Sequence, residues 1–390
     1  MHKSILIIIF ILIASIFTFK EVIAQELIPK EPSPIDVKQI HSGHSLTDPL
    51  FHPNWPGQYV NLVGYLLGKE GGEIRDRLVG KSTIPGYSMQ YRWDNPPGFG
   101  QPDARYDIGD WELLCITEGV PLYLEGGSTQ EWYIEGIQNQ RENLSKFVNN
   151  AWENGNDGNG TPTLLWTTWT NIDNSDGPWR EMLDIQGEEW ENMQDYANEN
   201  IPFDSPPVFL IPGHKLMARI YDDIELGLVP GINDISDFFS DNIHTNELGA
   251  YAIAMIHYSC IYNSNPKGLP RDLMMNNGNE PNIPSIDLAA YIQEVVWEIV
   301  TTYERTGVTK KNNSIQKGSE SINIFPNPSN KTLNIELANG IMNDKMLVNI
   351  YSLDGKLFKS TNQEKINISS WPSGIYILKI GSSSEIFYKL

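Results

Sequence analysis

The chain has 390 residues, too many for one ordinary domain and comfortable for two. Hydrophobic residues make up 40% of it and aromatic residues 11%, which fits globular domains with sizeable cores and excludes wholesale disorder. A formal net charge of −21 argues against nucleic acid and anionic lipid surfaces as partners, and fits a protein that meets neutral or weakly charged molecules.

Taken in chain order, Met1 to Ala24 has the make-up of a secretory signal peptide: Lys3, an apolar run from Ile5 to Phe19, then Val22-Ile23-Ala24 before Gln25. Lys20 and Glu21 cut that run too short for an uncleaved anchor, and no later segment is long and apolar enough to cross a membrane. Strand-like runs come next at Val37–His41, Lys81–Ile84, Trp111–Thr117, Thr163–Trp169 and Pro207–Ile211. Between and after them lie helix-like runs at Trp55–Gly68, Glu131–Glu153, Trp179–Asn200, Lys215–Leu226, Asn246–Tyr262 and Ile286–Arg305. Short apolar strands alternating with longer helices predict a parallel sheet covered on both faces, with its ligand site beyond the carboxyl ends of the strands. This domain is expected over residues 25–305, with a linker at 306–319 and a second domain at 320–390.

Two stretches carry chemistry. Ser45 lies in Gly43-His44-Ser45-Leu46-Thr47, directly after the first strand, where a turn lifts a hydroxyl off the sheet and the next N–H groups face any charge forming beside it. The bland alternative for such a turn is an N-cap. Asp241-Asn242-Ile243-His244 is its counterpart, since an Asp three residues before a His can hold the imidazole in one tautomer, ready to deprotonate a serine.

With those residues in place, residues 35–300 resemble an SGNH (GDSL-type) hydrolase. Gly-His-Ser-Leu-Thr matches the block of the family's nucleophile and Asp241-x-x-His244 the block of its acid and base. Leu248-Gly249-Ala250-Tyr251 and Asn265-Pro266-Lys267-Gly268-Leu269 resemble the family's residues downstream of that second block. The resemblance implies a three-layer αβα flavodoxin-like sheet and ester hydrolysis without metal or organic cofactor. Ser45 would be the nucleophile, His244 the base and Asp241 its orienting acid. Gly86, in Ile84-Pro85-Gly86-Tyr87-Ser88, would join the N–H of Ser45 in holding the oxyanion. Two departures stand out: His44 replaces the family's Asp before the serine, and Ile116-Thr117-Glu118-Gly119 replaces Gly-x-Asn-Asp. Thr117 and Asn171 are the positions that could supply the missing third donor, while His44 and Glu118 could meet substrate.

Residues 320–390 differ in character, with acids and bases nearly balanced, so the negative charge belongs to the first domain. Short β-branched or alternating runs at Ile322–Phe325, Thr332–Leu337, Met346–Ser352, Lys365–Ile368 and Gly374–Ile380 predict a small β-sandwich. Their turns are expected at Pro326-Asn327-Pro328, Asp354-Gly355 and Pro372-Ser373-Gly374. Phe325-Pro326-Asn327-Pro328, Val348 to Lys356 and Ser373 to Lys379 resemble the sorting domain of type IX secretion substrates. That implies passage across an outer membrane by the type IX machinery, followed by release or surface attachment.

Ten of the eleven tryptophans lie in the first domain, and Trp93, Trp166 and Trp169, near loops at the expected site end, are candidate sugar platforms. With export, they point to acylated carbohydrate as substrate. A lipase or aryl-esterase specificity, or a glycan-binding protein that kept the fold without activity, is the alternative. Cys115 and Cys260 lie in apolar elements and read better as two buried thiols than as a bridge. His257 belongs in a core helix, and His214 is expected at a helix start or on the surface.

Overall fold

A computed structural model of the chain describes residues 29–52, 58–273, 282–309, 322–337, 347–352, 356–380 and 383–390. The expected signal peptide, residues 310–319 of the expected linker, Trp55 and the Asp354-Gly355 turn lie outside the described residues. The chain divides into two units, residues 1–310 and 311–390.

In the first unit five parallel strands form one sheet: β1 Gln39–Gly43, β2 Val79–Thr83, β3 Leu113–Ile116, β4 Thr163–Thr167 and β5 Phe209–Pro212, in the order β2-β1-β3-β4-β5. Every residue of β1, β3, β4 and β5 is buried, as strands covered on both faces must be. Alternation then assigns the faces. Leu113, Cys115, Leu164, Trp166, Phe209 and Ile211 join one core, and Leu114, Ile116, Leu165 and Leu210 the other.

The helices are α1 Tyr59–Leu67, α2 Gly71–Ile74, α3 Met89–Asp94, α4 Glu131–Asn154, α5 Trp179–Glu199, α6 Gly213–Glu225, α7 Glu247–Tyr262 and α8 Ile286–Thr302. Residues of α1, α6, α7 and α8 build the first core, and those of α4 with the C-terminal half of α5 the second. From Leu248 to Tyr262 every residue of α7 is buried, the behaviour of a helix apolar on all sides.

Strand β1 begins two residues later than the expected run, at Gln39, and that residue is a full member of the sheet. Its amide is buried and bonded to the hydroxyls of Tyr59 and Tyr262. His214, expected at a surface or cap, is buried with Nδ1 2.6 Å from Thr167 Oγ1. His257 is a core residue, and Cys115 and Cys260 are buried free thiols. The first unit runs on past Thr302, with Thr306 and Val308 buried in it.

The strands of the second unit are β6 Ile322–Phe325, β7 Thr332–Leu337, β8 Val348–Ser352, β9 Leu357–Thr361, β10 Lys365–Asn367, β11 Gly374–Ile380 and β12 Ser383–Lys389. They form two antiparallel sheets, β10-β7-β6 and β12-β11-β8-β9, that share one apolar core.

Candidate active site

The chain leaves β1 toward β2 on one side of the sheet and returns to β3 on the other, so the loops after β1 and β3 part at the C-terminal edge and open a crevice between them. Ser45 sits there. The turn before it requires glycine, because a Cβ on Gly43 would stand 1.9 Å from Thr47 Oγ1 and 3.2 Å from Thr117 Cγ2. The chain then enters a 3-10 helix, Ser45–Phe51, which the sequence reading left unassigned ahead of the helix expected from Trp55.

His44 caps that helix. Its Nδ1 accepts the N–H of Leu46 at 3.3 Å, so the ring proton is on Nε2 and is donated to the Glu118 carbonyl at 3.0 Å. Burial depresses its pKa to about 3, with the charge of Arg92 adding to the effect. His44 is therefore a neutral strut tying the nucleophile turn to the loop after β3, and not a group that meets substrate.

His244 reaches the crevice from a tight loop between the bridged residues Phe239 and Thr245. Its Nε2 lies 2.7 Å from Ser45 Oγ and its Nδ1 2.8 Å from Asp241 Oδ2. Asp241 Oδ1 accepts the N–H groups of Ile243 at 2.9 Å and His244 at 2.7 Å. Burial raises the Asp241 carboxyl, but those N–H groups and the imidazole outweigh it and hold the pKa down at about 2. An ionised carboxylate only accepts, so Nδ1 of His244 carries the proton and Nε2 is free to accept from the Ser45 hydroxyl.

The His244 loop is fixed from beneath by the segment after β4. Trp169 Nε1 donates to the Ile243 carbonyl at 2.9 Å, Ile172 N–H to the Asn242 carbonyl at 2.8 Å, and Asn242 Nδ2 to Asp173 Oδ2 at 2.6 Å. Trp169 and Trp166 are buried, and Trp93 is half-buried with its ring edge-on to Phe147 at 5.0 Å. The first two offer no face to a sugar, and the third packs on α4.

Gly86 lies on the loop whose root is bonded to the end of β1, Ile84 N–H to the Gly43 carbonyl at 3.0 Å. Its φ of +77° is a conformation that side chains rarely adopt. Among the described residues, no acceptor bonds the N–H of Ser45 or of Gly86. The other expected donors are engaged elsewhere. Thr117 gives its N–H to Ser42 and its hydroxyl to the Glu118 carbonyl, and Asn171 gives its backbone N–H and one of its two side-chain N–H groups to Asp176. Glu118 does not meet substrate either: its buried carboxylate accepts the N–H groups of Met89 and Gly119, both at 2.6 Å. Burial raises its pKa against the pull of Arg92 and those N–H groups.

Arg92 is the residue that sequence reasoning missed. Buried on α3, it donates from Nη1 to Ser42 Oγ at 2.9 Å, from Nη2 to the Thr117 carbonyl and from Nε to the Ser88 carbonyl at 3.4 Å. One guanidinium thus joins the ends of β1 and β3 to the loop carrying Gly86. Its only sequence signal is a lone charge within Tyr91-Arg92-Trp93, on a helix of six residues too short to register as periodic.

Residues 323–390 match the family model of the secretion system C-terminal sorting domain. No curated protein matches the chain. Among solved structures, a DUF4886 family protein from Bacteroides uniformis is similar, at 13% identity over 72% of this chain and 99% of that one, with a TM-score of 0.47. A protein described as a GDSL-like lipase from Parabacteroides merdae has 15% identity over 60% and 98%, TM-score 0.37. A mutant acetyl-xylooligosaccharide esterase from Geobacillus has 12% identity over 64% and 100%, TM-score 0.36. Likeness at this level says nothing about what this chain does. On its own strand order the first unit is an α/β unit with a flavodoxin-like parallel sheet, and the chain ends in a segment that matches the secretion sorting-domain model.

Proposed function

We propose that the chain is an exported serine ester hydrolase that removes acyl groups, acetyl above all, from carbohydrate. The observation that carries the chemistry is the hydrogen-bonded line from Asp241 through His244 to Ser45, with steps of 2.8 and 2.7 Å. Nε2 of His244 takes the hydroxyl proton as Ser45 Oγ attacks the ester carbonyl, and Asp241 stabilises the imidazolium that results. The N–H groups of Ser45 and Gly86 meet the oxyanion. Collapse of the tetrahedral species expels the sugar hydroxyl, which takes its proton from His244. Water, deprotonated by His244 in turn, then cleaves the acyl-enzyme to release the acid and restore the serine.

With Thr117, Glu118 and Asn171 engaged elsewhere, the oxyanion rests on two donors, and loss of one donor typically costs about two to three orders of magnitude in rate. That shortfall is what favours the second reading, a glycan-binding protein on the same fold. The sorting tail supports secretion in either case.

Assaying the full chain and Ser45→Ala on p-nitrophenyl acetate and acetylated glycans separates the two. A rate in the wild type that falls by about three orders of magnitude or more in the variant supports the hydrolase. Equal residual rates support the glycan binder.

A further inference from the structure

Although Trp166 and Trp169 are buried, the segments that follow β2 and β3 carry exposed rings. Tyr87 follows Gly86 directly and stacks on Tyr91, with centroids 3.8 Å apart and planes 18° from parallel. Both rings are exposed, at 44% and 39%. On the loop after β3 and the first turn of α4, Tyr123, Trp132 and Tyr133 hold one another edge to face at 5.2 to 6.4 Å. Trp132 is 58% exposed and Tyr123 39%.

The two loops abut. A Cβ on Gly119 would lie 3.3 Å from Ser88 Cα, and the Glu118 carboxylate bonds one N–H on each side of the junction. Single exposed rings scattered over a surface need no explanation. These are held in place by ring neighbours and lie on two segments that touch and that follow β2 and β3, the strands on either side of β1.

We propose that Tyr87, Tyr91, Tyr123 and Trp132 form sugar subsites, so that the substrate is a neutral acetylated oligo- or polysaccharide gripped over several units and not a small ester alone. The inference rests on the ester-hydrolase reading of Ser45. A pyranose ring offers a flat C–H face that covers an aromatic face, with hydroxyls at its rim in reach of a phenol or indole N–H. Holding one acetyl group at Ser45 calls for no platform on a second loop, whereas a chain of sugars does. Asp94, Glu125 and Glu131 lie on the same segments of a chain with net charge −21, which disfavours a uronate-rich or sulfated polymer.

The test compares kcat/KM on acetylated xylan and glucomannan with kcat/KM on p-nitrophenyl acetate, for the full chain, Tyr91→Ala, Trp132→Ala and the aromatic-retaining Tyr91→Phe. Each alanine variant is expected to lower the polymer-to-small-ester ratio by about tenfold, and Tyr91→Phe to keep it. Retardation of Ser45→Ala in gels containing deacetylated polymer, lost when Trp132→Ala is added, supports the subsites independently of turnover. Unchanged ratios, or no retardation of Ser45→Ala in any of the gels, overturn the subsites. If Ser45-dependent hydrolysis of p-nitrophenyl acetate persists with unchanged ratios, the hydrolase reading stands without them. If the wild type lacks that hydrolysis, the hydrolase reading falls and gel retardation alone decides the subsites.

Discussion

Asp241→Asn isolates the tautomer from the geometry. The Asn Oδ1 can still accept the N–H groups of Ile243 and His244, so the loop keeps its shape. Its amide, however, donates toward Nδ1, which forces the imidazole proton onto Nε2 and removes the acceptor facing Ser45. We expect kcat on p-nitrophenyl acetate to fall by about a hundredfold or more, with an unchanged far-UV CD spectrum. Full activity in the variant would remove Asp241 from the mechanism. This pairing was legible in the sequence because an Asp three residues before a His makes a local turn with its own backbone. His44 was not legible: its partner, the Glu118 carbonyl, lies 74 residues away, and only the fold reveals that both ring nitrogens are used.

Long elements with strong apolar rhythm were readable to within a residue or two, as for α4, α5 and α7. Short ones held by tertiary contacts were not, and α3 is the case that matters because it carries Arg92. Burial lowers the guanidinium pKa to about 10, against the pull of Glu118, so it stays charged at neutral pH. Arg92→Met takes the guanidinium away from Ser42 Oγ and the Thr117 carbonyl, leaves the Ser88 carbonyl only the backbone N–H of residue 92, and removes the positive charge near Glu118. We expect it to cost about 3 kcal/mol in denaturant unfolding, and Arg92→Lys to recover little because an ammonium cannot span three directions. Wild-type stability in Arg92→Met would show that the strut is dispensable. Trp169→Phe tests the brace under the His244 loop. It removes one neutral hydrogen bond worth about 1 kcal/mol, and we expect kcat to fall about fivefold with KM little changed. A change confined to KM would contradict that role.

At the scale of the molecule, the two units have separate cores. A chain ending at residue 309 should keep the p-nitrophenyl acetate rate and Tm of the first unit while failing to leave the cell, measured as the secreted fraction of antigen. Loss of activity on truncation would refute that independence. The sorting tail was the most legible part of the sequence, since its Phe325-Pro326-Asn327-Pro328 run and alternating strands are local signals.

Acid stability depends on groups whose state only burial decides. His41, His44, His214 and His257 are all buried with pKa values lowered by desolvation, to about 3 for His44 and His214 and about 4 for His257. The unfolded chain binds those protons near pH 6.5 and the folded one does not. Stability is therefore full above pH 6.5 and is lost as pH falls through 6.5 toward 3, by about 1.4 kcal/mol per pH unit for each proton taken up on unfolding. The depressed Asp241 carboxyl acts in the same direction at lower pH, and the raised Glu118 opposes it. Tm measured from pH 7 to pH 4 should fall steadily, and a flat profile would contradict the burial of the four imidazoles.

Activation of the Ser45 hydroxyl by His244 is the step on which the proposed chemistry turns. Incubation with a fluorophosphonate, followed by intact-mass and peptide mass spectrometry, tests it most directly. We predict a single adduct on the Ser45 peptide that is absent from Ser45→Ala and forms at least about a hundredfold more slowly in His244→Ala. No adduct on the wild type, or one that forms on another residue and persists in Ser45→Ala, would contradict it.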